Sequence, residues 1–339
     1  MKIAALGVLF SILLAASLPF RADAGPNTRY RLVNLNTMPG SRYSSASRIN
    51  NRGEIAGIVS IRNNTVPFLY TTDGVMHELP LTPGAYGPEI FDLNDRGQVL
   101  IHVGYSAVID HTSVSDTTLL ADLLQVVDVK SVVGRPIALG FALNNPGDII
   151  GADLRDDFRY HPFLFSNGIF RLLDSGSTAP IWVQAVDIND SGSILLAAGV
   201  TVGTQVVSRA FILSNGTMTD IGALPGGIGA WGSRINNRGH VLGMSQAGPD
   251  VIHSFLWQDG HMTDLGDATF YDLNNNDDIV GQTADGQPVL FTEGTLQPLA
   301  PLIAGGPQKE FQIRGINDAG EMVGFATQHR QTHAILVTP

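Results

Sequence analysis

The feature that most constrains this chain is a short motif that returns seven times. It reads INNRGEIAG at 49–57, LNDRGQVLI at 93–101, LNNPGDIIG at 143–151 and INDSGSILL at 188–196. It continues as INNRGHVLG at 235–243, LNNNDDIVG at 273–281 and INDAGEMVG at 316–324. The leading asparagines are Asn50, Asn94, Asn144, Asn189, Asn236, Asn274 and Asn317, between 38 and 50 residues apart. A period in that range means stacked units of one supersecondary type, none able to bury its apolar face alone.

Each motif predicts a hairpin. An apolar strand ends at Ile or Leu, and Asn-x-x-Gly then reverses the chain. Asn bonds its own backbone in turns and Gly supplies positive φ. Unit six carries Asp277 in place of the Gly, and Asp tolerates the left-handed conformation better than most residues. A second hairpin follows in each unit, clearest as RAFILSNGTMTDI at 209–221 and HSFLWQDGHMTDL at 253–265. Asn-Gly and Asp-Gly at its tip are hairpin signals. Unit two is degenerate, and its last two strands are expected at 107–110 and 119–124. Four short strands, a to d, in about 45 residues predict a propeller blade. A β-solenoid has shorter rungs and lacks this pairing of turns.

The expected fold is therefore all-β: a seven-bladed β-propeller with four-stranded antiparallel blades. Unit seven stops after its third strand, 333–337. A lone d-type strand at 30–35 precedes the first motif. It is expected to complete blade seven and close the ring, which removes two exposed sheet edges.

The unit, IN-N-x-G-x-(V/I)-x-G, then H-A/S-F-L-W, then D-G-x-M-T-D-L-G, resembles the HAF-type extracellular repeat. His253-Ser254-Phe255 and His333-Ala334-Ile335 match the triplet best, and Arg209-Ala210-Phe211 keeps its Ala-Phe. The resemblance covers nearly all of residues 30–337. It implies an exported, propeller-forming repeat protein and implies no reaction.

The N-terminus reads as an address. Lys2 precedes the apolar run IAALGVLFSILLAASL at 3–18, Pro19 breaks it, and Ala22-Asp23-Ala24 offers an A-x-A cleavage pattern. Residues 1–24 are thus expected to be a signal peptide of the general secretory route. Residues 25–339 are expected to form one soluble, monomeric domain, periplasmic or extracellular, with no membrane insertion after cleavage. An uncleaved anchor helix is the other reading of the run. The chain has no Cys, which excludes disulfides, thiolate metal sites and a Cys nucleophile. Its net charge of −11 argues against nucleic-acid partners.

In a propeller the a–b and c–d turns share one face. The d–a and b–c connections share the other and rim the channel. Here the first set is uniform, which reads as scaffold; the second varies, and variable loops on a rigid frame are where function sits. The d–a loops carry Arg42, Tyr43, Tyr86, Glu89, Trp182 and Trp231, and the b–c loops carry Arg155 and Arg330. These are the candidate ligand-binding residues. The two tryptophans read either as interblade packing or as a stacking platform for a sugar ring.

Two residues before each anchor Asn stand Arg48, Asp92, Ala142, Asp187, Arg234, Asp272 and Gly315. The five charged positions predict a ring around the channel, either of interblade ion pairs or of carboxylates able to hold Ca²⁺. Residues 274–278, NNNDD, lack the spacing of a calcium loop and read as a turn. His161, His253 and His333 recur at one repeat position, so they fall in different blades and read as packing residues. No cofactor is expected apart from that calcium reading.

Catalytic motifs such as H-E-x-x-H, G-x-S-x-G and the P-loop are absent. The first expectation is a binding or scaffold module docking an extracellular glycan or protein. The alternatives are a polysaccharide hydrolase or lyase, and a structural envelope or matrix component. The hydrolase would need close carboxylates, for example Glu89 with Asp153 or Glu310.

Overall fold

The computed structural model describes residues 29–35, 38–62, 64–106, 114–136, 138–157, 159–173, 182–304 and 310–339. The expected signal peptide and the strand expected at 107–110 lie outside them.

The strands form seven four-stranded antiparallel sheets. A lone first strand, β1 (Arg31–Asn34), precedes blade one: β2 (Ser44–Ile49), β3 (Ile55–Ile61), β4 (Asn64–Tyr70) and β5 (Met76–Glu78). Blade two is β6 (Ala85–Leu93), β7 (Val99–Ser106), β8 (Val114–Ala121) and β9 (Val126–Asp128), followed by the short helix α1 (Val129–Val133). Blade three is β10 (Ala138–Leu143), β11 (Ile149–Leu154), β12 (Tyr160–Ser166) and β13 (Ile169–Leu172). Blade four is β14 (Val183–Ile188), β15 (Ile194–Val202), β16 (Gln205–Ser214) and β17 (Thr217–Asp220). Blade five is β18 (Ala230–Ile235), β19 (Val241–Gly248), β20 (Val251–Gln258) and β21 (His261–Asp264). Blade six is β22 (Thr269–Leu273), β23 (Ile279–Gln282), β24 (Pro288–Thr292) and β25 (Thr295–Pro298). Blade seven is β26 (Phe311–Ile316), β27 (Met322–Gln328) and β28 (Gln331–Thr338), with β1 as its fourth strand. β1 pairs antiparallel to β28, Arg31 opposite Thr338 and Asn34 opposite Ile335.

The structure is thus the seven-bladed propeller, closed as the sequence predicts. Blade two brings a correction: Leu119–Ala121, expected in strand d, belong to strand c (β8), and strand d is β9. Thr117 and Leu119 point into the core from β8, and the turn before β9 is built by Asp122, which accepts the amides of Leu124 and Gln125.

The motif letters have packing reasons. In blades one, three and five the second Gly of the unit sits on strand b opposite the Phe of strand c. A Cβ at Gly57 would lie 2.2 Å from the Ser45 carbonyl and 2.6 Å from Phe68 Cζ. Gly151 and Gly243 leave the same room for Phe163 and Phe255. These three Phe side chains are fully buried, each worth about 1.5–3 kcal/mol of transfer free energy. The core lies between blades: Ala56, Leu69 and Leu79 of blade one pack with Ile90, Leu93 and Val99 of blade two.

Every innermost strand carries a register shift two residues before its end, from Ala46/Arg48 in blade one to Ile313/Gly315 in blade seven. A bulge bends its strand and re-aims side chains. Here it turns the position two before the anchor Asn into the channel.

Candidate functional site

The anchor asparagines do more than turn the chain. In blade one the Asn50 Oδ1 accepts the amides of Arg52 and Glu54, at 3.1 and 2.9 Å. Its Nδ2 donates to Glu54 and also, at 2.9 Å, to the carbonyl of Asn94 in the next blade. The second kind of bond repeats from Asn94 to Asn144, Asn189, Asn236, Asn274 and Asn317. Asn317 returns it to Asn50 at 3.1 Å. The residue after each anchor forms a second closed ring: the amide of Asn51 donates to Asp95, and so on through Asn145, Asp190, Asn237, Asn275 and Asp318, back to Asn51. The a–b turns, read from sequence as plain scaffold, are therefore the device that binds blade to blade.

Inside these rings lies a polar cavity of about 180 Å³, lined among others by the five charged positions. Asp92 Oδ2 accepts the amide of Leu143 in the next blade, Asp187 that of Ile235 and Asp272 that of Ile316, at 2.9–3.0 Å. Arg234 Nε lies 3.4 Å from Asp272, and Arg48 donates to the carbonyls of Phe91 and Ser47. The carboxylates thus serve mainly as backbone latches, a role the ring of charges alone does not announce.

Burial pushes the Asp187 carboxyl up to about 7, with Arg234 opposing and Asp92 reinforcing the shift. Burial raises Asp92 as well, against the pull of Arg48. It lowers Arg48 to about 10, helped by repulsion from Arg234. Burial acts to lower Arg234 too, but Asp187, Asp272 and Asp92 outweigh it and hold Arg234 above its ordinary value. Among the described residues, no group of three or more His, Asp or Glu side chains is placed to hold a metal ion.

The opposite face carries the sequence-predicted rim residues. Tyr43 (38% exposed), Tyr86 (46%), Trp182 (43%) and Trp231 (36%) stand at or near the starts of the innermost strands of blades one, two, four and five. Trp182 lies over Gly199 and Tyr86 over Gly104, each covering a cross-strand glycine of its own blade. Trp231 stands opposite Met244. Glu89 stands opposite His102 on β7, Arg42 precedes Tyr43, and Arg330 sits in the left-handed turn between β27 and β28.

Arg155 lies at the end of β11, its Nη1 3.7 Å from Asp153 Oδ2. Asp153 is fully buried. The same oxygen accepts Arg135 Nε and Nη2 at 3.1 and 3.0 Å. Asp153 is therefore not available to pair with Glu89. Glu310 instead shares a cavity of about 370 Å³ with Asp285, Gln312 and Phe325, at the junction of blades six and seven.

The repeating histidines fall in different blades, as expected, and two of them add a polar contact to their packing. His253 Nδ1 meets Asp264 at 2.9 Å, and Arg209 meets Asp220 at 3.0 Å in the same place one blade earlier. His161 meets Asp157 at 3.0 Å. The contacts of His253 and Arg209 are cross-strand pairs and that of His161 is a pair with the b–c turn. Asp264 and Asp220 also accept the amide of the following Gly, which explains the Asp-Leu/Ile-Gly of the repeat.

Residues missed from sequence include Arg314, whose guanidinium stacks 4.3 Å over Tyr271 and donates to Gln312. Another is the pair His240 and Asp277. Asp277, at φ 68°, accepts Asn236, Arg238, His240 and Gln258, at 2.7–2.9 Å. Half of the signal was present: Asp277 breaks the constant Gly of the repeat, whereas the position of His240 varies from unit to unit.

No protein-family model matches the chain, and no curated protein matches it. Solved structures do. The β-propeller domain of the Trilobed protease from Pyrococcus furiosus is similar with TM-score 0.52 and 13% identity, over 77% of this chain and 81% of that one. The acylaminoacyl peptidase of Pyrococcus horikoshii is similar with TM-score 0.54 and 14% identity over 86% of this chain. The match takes in 51% of that peptidase, so this chain spans about half its length. A streptogramin B lyase gives TM-score 0.49 and 13% identity, over 91% and 97% of the two chains. At these identities the likeness is one of fold. The Trilobed protease propeller is described as having an open velcro topology, whereas β1 closes the ring here.

Proposed function

We propose that this chain is an exported propeller of the HAF-repeat kind, a binding module whose d–a and b–c face docks an extracellular glycan or protein. The observation that carries the reading is the set of half-exposed rings on that face: Tyr43, Tyr86, Trp182 and Trp231. Aromatic faces held by a rigid sheet offer large contact area at little entropic cost, and such planes suit a sugar ring. Export rests on the N-terminal apolar run and A-x-A site; fractionation of cells carrying a C-terminally tagged chain tests it. Recovery of the tag in the cytoplasm at full length overturns export.

The binding test uses residues 25–339 on a glycan array, followed by calorimetry with any hit. Trp182→Ala with Trp231→Ala abolishes binding while the melting curve stays cooperative. Intact binding in that double variant overturns the platform. A second reading, hydrolysis or lysis of the polymer, has one observation in its favour: Asp285 and Glu310 line one cavity. Release of reducing or unsaturated ends from a bound polymer, lost in Glu310→Gln, supports it.

A further inference from the structure

Nine residues after its anchor Asn, blade three buries a carboxylate where other blades bury Val59, Val103, Ala198, Ser245 and Ala326. A buried charge costs several kcal/mol unless it is paired and hydrogen-bonded. Asp153 is paired on one side alone. Its Oδ2 takes Arg135 at 3.0 Å and approaches Arg155 at 3.7 Å, while its Oδ1 is buried with no hydrogen-bond partner.

Two guanidinium groups share one carboxylate; in the same loop Asp157 is already engaged by His161 at 3.0 Å and Asp156 is exposed. Both guanidinium groups keep contact with solvent, their side chains 33% and 40% exposed. Arg135 is held over the Phe170 ring at 5.4 Å, which fixes its plane. The Arg155 guanidinium makes no hydrogen bond among the described residues. A pre-oriented guanidinium edge with free donors is the group that recognises carboxylate, sulfate and phosphate oxygens. Trp182 opens β14, and β14 packs against β11 and β12 of blade three. Asp153 and its arginines lie on the side of β11 that Ile149 turns to blade two, and the indole over Gly199 lies on the side of blade four that Leu195 turns to blade five, so the two stand on adjacent blades of the rim and face away from each other.

We propose that Arg135 and Arg155 form an oxyanion subsite for an acidic group on the glycan bound at the rim, with Trp182 carrying another sugar ring of the same polymer one blade further round. The inference rests on the rim reading and adds the substrate class: an acidic polysaccharide, its charge supplied by uronate carboxylates or sulfate esters. Asp153 is the positioning residue: two hydrogen bonds orient Arg135, and charge attraction at 3.7 Å keeps Arg155 close.

The test is calorimetry of residues 25–339 with three probes: hexagalacturonate, its fully methyl-esterified form, and a sulfated galactan hexamer. An acidic probe binds about tenfold or more tightly than the ester, and its affinity falls with added NaCl while that of the ester does not. Binding by the carboxylate or by the sulfate distinguishes the two sources. Arg155→Gln removes that preference, and Arg155→Lys, which keeps charge without the fork, restores part of it. Trp182→Ala weakens acid and ester alike.

Equal binding of acid and ester, or an acid affinity unchanged in Arg155→Gln, overturns the subsite and leaves the aromatic platform standing. Loss in Arg155→Gln with none in Trp182→Ala does the reverse. No binding of either acidic probe overturns the subsite, and the array result then judges the platform separately. Arg155 is partly exposed and touches Asp153 only at 3.7 Å, so its variants are expected to fold; melting curves check this. Should they not, Arg135→Lys reads the same preference.

Discussion

The side-chain amide of Asn317 donates to the backbone carbonyl of Asn50, 3.1 Å away and 267 residues back along the chain. It is the same bond that joins every neighbouring pair of blades, so the last junction of the ring is built like the other six. The ring is thereby closed twice, by this bond near the channel and by β1 at the outer edge. An Asx turn needs an oxygen alone. The interblade bond needs an NH₂ as well, and Asn supplies both.

Replacing Asn189 by Asp separates the two roles. The turn keeps its acceptor for the amides of Ser191 and Ser193. The donor to the Asn236 carbonyl is lost, and an anionic oxygen faces that carbonyl instead. The site is buried, so the loss is expected to cost about 2–3 kcal/mol. Urea denaturation at pH 7 measures it. An unchanged midpoint would mean that the asparagine serves the turn alone.

The junction of blades five and six solves the same problem with other residues. In five of the other blades the residue four after the anchor accepts its Nδ2: Glu54, Gln98, Asp148, Asp278 and Glu321. Blade five has His240 there, and Asp277 of blade six accepts the Asn236 Nδ2 in its place. Asp277→Gly relieves the left-handed backbone but strips four partners, and a loss of about 1–3 kcal/mol is expected. Adding His240→Glu restores an acceptor and recovers much of it. A double-mutant cycle measures the coupling; additive effects would show that the two exchanges are independent.

Blade number, strand order and the closing strand are legible in the sequence because turn chemistry and apolar alternation are local signals. Blade two resists because β8, VSDTTLLA, has neither the Phe nor the Asn-Gly or Asp-Gly tip of its counterparts. The His253–Asp264 and Arg209–Asp220 pairs were legible as a constant separation of 11 residues within the repeat. The ring bonds were not legible from any single unit, since each Asn finds its partner in the next blade. Nor was the cavity that Asp285 and Glu310 both line, since its walls come from two neighbouring blades. The only hint for the rings was that all seven anchors are Asn, although Asp serves a turn equally well.

The channel predicts a pH dependence with a definite sign. The Asp187 carboxyl is raised to about 7 in the folded state, against about 3.9 in an unfolded chain. Between those values the folded state holds the extra proton. This group's contribution is therefore full below about pH 4 and is lost as pH rises through 7. The stability of the native chain minus that of Asp187→Asn is expected to fall from pH 5 to pH 8. Parallel pH profiles would show Asp187 ionised in the folded channel throughout.

Truncation through residue 36 removes β1 and leaves the edge of β28 unpaired. Four strand residues and the buried Leu35 are lost together, and the ring keeps only its channel-side closure. The melting temperature should fall by several degrees, with concentration-dependent association at the bared edge. Scanning calorimetry at two protein concentrations checks both. An unchanged melting temperature would assign closure wholly to the asparagine rings.

Trp182 owes its position to a residue across the sheet. A Cβ at Gly199 would lie 2.3 Å from the indole Nε1 and 2.6 Å from Cδ1, so Gly199→Ala must displace the ring. The side chain is 43% exposed and has room to swing outward. A small stability loss is expected, about 1 kcal/mol or less, because cross-strand aromatic–glycine packing is partly replaced by solvent. Tryptophan emission should shift while the melting curve stays cooperative. If the indole is a binding surface, Gly199→Ala lowers glycan affinity with every contact residue still present. If the indole only covers the glycine, stability and emission change and affinity does not. That contrast separates packing from binding at the position where the sequence leaves the two readings open.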